Sequence, residues 1–110
     1  MAKNTKTTQS GINDRVYAFL NTIPKGRVVT YGQIAAALGN RNLARAVGNA
    51  LHNNPDPLGQ PCYKVVNRSG ALARSFGDAG GIETQRRRLE QDGIEVVDYR
   101  VDLSKYQWIF

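Results

Sequence analysis

Ile12, Val16, Phe19, Leu20 and Ile23 step along the chain by four, three, one and three. That spacing is one buried stripe of an α-helix, with Asn13 or Asp14 as its cap and Pro24 and Gly26 as the turn that ends it. "RVV" follows as a short extended segment. Thr30 and Gln33 then form a capping-box pair, which predicts a helix of about two turns ending near Gly39. After the polar connection "GNRN", Leu43, Val47, Ala50 and Leu51 share one face of a second helix, stopped by Asn53, Asn54 and Pro55. Two short helices joined by a tight glycine-containing turn predict a helix-turn-helix.

"PDPLGQPCYKVV" passes through three prolines into a short β-branched strand, "NRSGAL" reads as a turn, and "SFGDAGG" as a glycine-rich loop. "IETQRRRLEQDG" predicts a helix closed by Gly93. The tail "IEVVDYRVDLSKYQWIF" alternates enough for one or two short strands. Residues 1–11 are polar and rich in Lys and Thr, and read as a flexible leader to a single domain over residues 12–110.

Composition narrows the function classes. A chain of 110 residues with 41% hydrophobic content makes one globular domain. No apolar stretch has membrane-spanning length, and the N-terminus lacks a signal core, so the expected location is cytoplasmic. One cysteine and one histidine leave no metal-ligand cluster, and no metal or cofactor is expected. Fifteen basic against nine acidic residues give a net charge of +6, which favours an acidic partner such as nucleic acid. With Leu43 at the centre of the buried face, Arg45, Asn49 and His52 fall together on the opposite face of the second helix, between the small residues Ala44, Ala46 and Gly48. Such a helix fits a DNA groove; a plain solvated face has the same pattern, and His52 alone is an ordinary helix-end histidine. Cys62 reads equally as a small buried hydrophobe or as a thiol activated by positive surroundings.

The series Tyr31, "ARAVGNAL", "NP", "PCYKVV", "GG" and "LEQDG" resembles the C-terminal domain of the O6-alkylguanine-DNA alkyltransferases over roughly residues 12–93. Arg45 lies fourteen positions after Tyr31, Asn54 nine after Arg45, and Cys62 eight after Asn54, in the family's order. The resemblance implies a mainly α fold with short β strands, a winged helix-turn-helix-like domain of the alkyltransferase C-terminal type. It implies a monomer that binds double-stranded DNA containing O6-alkylguanine, flips the base and moves the alkyl group irreversibly onto Cys62. Arg45 would fill the space left by the flipped base. Tyr31 would press on the adjacent phosphate and offer its hydroxyl to guanine N3. Asn54 would be the hinge; Asn49, on the same outer face as Arg45, is a further expected DNA contact. Ala79, Gly80 and Gly81, within "GDAGGI", would line the lesion pocket. Extrusion costs a few kcal/mol, which an inserted side chain offsets.

Three positions depart from the family pattern. Tyr63 stands where histidine follows the cysteine, Lys64 replaces arginine, and Asp92 replaces the glutamate of the last helix. Tyr63 and Asp92 therefore replace the groups that normally strip the thiol of its proton. Tyrosine is a poor base at neutral pH. An unassisted thiol is still a few per cent thiolate, so losing the base forfeits about 2 kcal/mol, or roughly thirtyfold in rate.

The alternative is a lesion sensor like the alkyltransferase-like proteins, which bind alkylguanine and hand it to nucleotide excision repair proteins. Those proteins are equally short and carry a C-terminal Tyr-x-Trp, as "KYQW" does here, but typically hold tryptophan in place of the cysteine. A generic helix-turn-helix regulator explains Arg45 and the charge, and leaves Cys62 and Asn54 without a role.

Overall fold

The computed structural model describes residues 8–73 and 81–110. In chain order the elements are α1 (Gln9–Leu20), β1 (Val29–Thr30), α2 (Tyr31–Ala37), α3 (Ala44–His52), β2 (Val65–Val66), α4 (Gly81–Gln91) and α5 (Leu103–Tyr106). Single 3₁₀ turns at Arg41–Leu43 and Cys62–Lys64 lead into α3 and β2. This is the mainly helical fold with short strands that the sequence leads one to expect.

Helix α1 starts earlier than its apolar stripe. The Thr8 side chain accepts from Gly11 N at 3.0 Å and caps the helix, so Asn13 and Asp14 lie inside it and residues 9–11 of the expected leader are helical. An exposed first turn needs a cap rather than an apolar residue, so the stripe carries no sign of it. α2 forms as expected: Thr30 Oγ1 accepts from Gln33 N, and Gln33 Oε1 accepts from Thr30 N at 2.9 Å.

β1 and β2 pair in parallel, Val29 opposite Val65 and Thr30 opposite Val66. Alternation along these strands separates two cores. Val29 and Val65 join Ile12, Val16, Leu20, Ile34, Val47, Ala50 and Cys62 beneath α1–α3. Val28 and Val66 join Leu72, Leu89, Ile94 and Val101 against α4 and the tail. The tail docks on the free side of β1, where Val28 N donates to Tyr106 O at 2.9 Å and Trp108 N to Val28 O at 2.8 Å.

Candidate functional site

Cys62 is placed by what precedes it. Asn54 leaves α3 and ties the following loop on itself: its Nδ2 donates to Gln60 O at 2.8 Å, while its Oδ1 accepts from Asp56 N at 3.0 Å and Gln60 Nε2 at 2.9 Å. Across that loop Asp56 Oδ1 accepts from Gly59 N at 3.1 Å. Pro61 then starts the 3₁₀ turn whose first residue is Cys62. The thiol is 8% exposed and sits in the core beneath α1–α3. Asn54 thus closes the loop between α3 and the 3₁₀ turn of Cys62 through side-chain hydrogen bonds.

Two phenols share the thiol's surroundings. Tyr31, the first residue of α2, is half-buried; burial chiefly, and the nearby Cys62 charge second, hold its phenol above the ordinary value. Tyr17 on α1 is raised by burial, then Asp14, then Cys62, and its hydroxyl donates to Ala50 O of α3 at 2.8 Å. The sequence reading missed Tyr17. The available signal was an aromatic with a polar tip at the edge of an otherwise aliphatic stripe, since a half-buried hydroxyl needs a partner.

Tyr63 points elsewhere. It packs against the second core, not the one holding Cys62. Its phenol is raised first by burial and then by Asp92, with Arg88 opposing. Asp92 is itself engaged: its Oδ2 accepts from Gly26 N at 2.9 Å and lies 3.8 Å from the buried Lys64 Nζ. That ammonium also donates to Ile23 O at 3.0 Å. Asp92 therefore secures the turn after α1 and neutralises a buried lysine. Buried Gln85 braces the Cys62–Lys64 turn from α4, donating to Tyr63 O at 3.1 Å and Val65 O at 3.0 Å.

On the outer face of α3, Arg45, Asn49 and His52 are exposed together, and Gly48 leaves open space beside them. Arg41 and Arg68 line an open trough of about 430 Å³ beside α2, with Gly32, Ile109 and Phe110. Gly81 opens α4 with φ +52; Ala79 and Gly80 lie outside the described residues. Among the described residues no three His, Cys, Asp or Glu side chains are grouped for a metal, and no helix is long and apolar enough to cross a membrane.

The family model described as "6-O-methylguanine DNA methyltransferase, DNA binding domain" matches residues 11–94. The chain is 38% identical over 95 residues to a DNA base-flipping protein of Vibrio parahaemolyticus, covering 86% of this chain and 92% of that one. It is 44% identical over 93 residues to a bifunctional methyltransferase/endonuclease of Picrophilus torridus, covering 84% of this chain but only 30% of that protein. The crystal structure of S. pombe Atl1 in complex with damaged DNA containing O6-carboxymethylguanine superposes with a TM-score of 0.82 at 30% identity, covering 100% of both chains. The chain belongs to the 6-O-methylguanine DNA methyltransferase family, through that family's DNA-binding domain.

Proposed function

We propose that this protein binds duplex DNA through the exposed face of α3, extrudes O6-alkylguanine, and takes the alkyl group onto Cys62 in a single turnover. The observation that carries the reading is the placement of Cys62. Its buried thiol sits at the end of a loop that leaves α3 and is closed by Asn54, in the core that the Tyr31 side chain packs against. Arg45 has the exposure an inserted side chain needs, and Arg41 and Arg68 add positive charge beside α2. In the transfer, the Cys62 thiolate attacks the alkyl carbon, an S–C bond forms and the C–O6 bond breaks. The electron pair passes into the guanine, which takes a proton at N3 from the Tyr31 hydroxyl or through it from water; the thiol's own proton leaves to solvent. Burial keeps Tyr31 protonated, so the donor is in place throughout the neutral range.

One observation favours the sensor reading instead. Tyr63 packs on the second core, and Asp92 is engaged by Gly26 and Lys64, which draws that carboxylate away from service as the thiol's base. The loss is kinetic, roughly thirtyfold at most, and a single-turnover acceptor tolerates it. A duplex bearing a radiolabelled O6-methyl group separates the readings. Label moves to the wild-type protein and not to Cys62→Ser, although both retain the duplex in a gel shift. Label remaining on the DNA with both proteins leaves the sensor reading.

A further inference from the structure

The stretch Val97-Asp98-Tyr99-Arg100 is a two-residue hairpin. Val97 and Arg100 exchange both backbone hydrogen bonds at 3.0 Å, and the two central residues are left-handed, with φ +52 at Asp98 and +58 at Tyr99. A turn with both central residues left-handed takes Asn-Gly by preference. Aspartate tolerates that region; a tyrosine, with its Cβ and ring, is strained there. Burial does not compensate the strain, because Tyr99 is 43% exposed. A strained residue persists where its surroundings hold it, and such residues concentrate at functional positions.

Two contacts hold Tyr99. Its carbonyl accepts from Leu72 N at 2.9 Å, and its hydroxyl donates to Glu83 Oε2 in the first turn of α4. The other oxygen of Glu83 is taken by Arg86, whose Nε donates at 2.8 Å and whose Nη2 lies at 2.7 Å. Leu72 precedes and Glu83 follows the segment 74–80, so one residue joins the two flanks of that segment. Gly81, which the family resemblance places in the lesion pocket, lies two residues before Glu83.

We propose that Tyr99 is a positioning residue for recognition of the alkylated base: by joining Leu72 to Glu83 it fixes the start of α4, and with it Gly81. The inference rests on the lesion-binding reading above. The contact is electrostatically consistent, since the Tyr99 hydroxyl first and Arg86 second hold the Glu83 carboxyl below its ordinary value.

Two variants separate positioning from plain structural support. Tyr99→Gly relieves the left-handed strain and removes the side chain. Its melting temperature should hold or rise by a few degrees, while the preference for O6-methylguanine duplex over intact duplex, read by anisotropy, falls on the order of tenfold. Tyr99→Phe removes only the hydroxyl. Amide exchange should then quicken at Gln85 and Arg86, the first amides to bond back into the opening turn of α4, and stay unchanged at Leu72, with a similar loss of preference. A Tyr99→Gly protein that melts lower makes Tyr99 merely structural and overturns the proposal. So does unaltered exchange in Tyr99→Phe, and so does quickened exchange with intact preference. A wild-type protein without lesion preference sinks the lesion-binding reading itself, and the exchange arm alone still decides whether Tyr99 holds α4.

Discussion

Cys62 and Tyr63 are neighbours in sequence yet serve opposite cores. Successive residues of the 3₁₀ turn Cys62–Lys64 stand about 120° apart around its axis, and a motif read as a string does not show this. In the proposed methyl transfer the Tyr63 hydroxyl then has little part: Tyr63→Phe should react within about twofold of wild type. A tenfold loss in single-turnover kinetics would return the phenol to the proton path. Asp92 carries a stability role that its family position did not reveal. Asp92→Asn removes the carboxylate from the nearly buried Lys64 ammonium, and the expected cost is about 2 kcal/mol in urea unfolding. A change below about 0.5 kcal/mol contradicts the pairing.

Among the elements, those with a local chemical signal were legible. The Thr30–Gln33 box starts α2, Gly93 (φ +84) ends α4, and Val47 and Ala50 bury one face of α3. The tail was not. In place of one or two strands it forms a left-handed turn, single bridges at Arg100 and Gln107, and the four-residue α5. The turn lacks the Asn-Gly that announces one. α5 is too short for a periodic stripe; Asp102 caps it through Ser104 N, and Leu103 and Tyr106 pack on the second core. The exposed face of α3 was legible because a helix with one buried stripe leaves its opposite face fixed. Arg45 occupies that face, so Arg45→Ala should lower the preference for lesion over intact duplex while changing intact-duplex affinity much less. An equal loss on both duplexes makes Arg45 a phosphate contact only.

At the scale of the whole molecule, buried tyrosines weaken the fold on the alkaline side. Tyr17, Tyr31 and Tyr63 are all held above the ordinary phenol value, chiefly by burial. Their contribution to stability is complete below the unfolded phenol pKa of about 10 and is lost as pH rises through the folded values. Glu83 and Asp102, lowered by their hydrogen bonds, act in the other direction: their contribution is present above the unfolded carboxyl value and lost as pH falls through the folded one. The melting temperature should thus fall on the alkaline side from about pH 10, and a flat profile to pH 11 contradicts the burial of the phenols.

In the proposed reaction one atom, the Cys62 sulfur, receives the alkyl group of a base extruded at the α3 face. Its most direct test is the intact mass of the purified protein after incubation with an O6-methylguanine duplex, followed by peptide mapping. A protein heavier by one methylene unit, with the addition on the Cys62 peptide, is the predicted result. An unchanged mass under conditions where the lesion duplex is fully bound contradicts it, and makes this protein one that finds the alkylated base without repairing it.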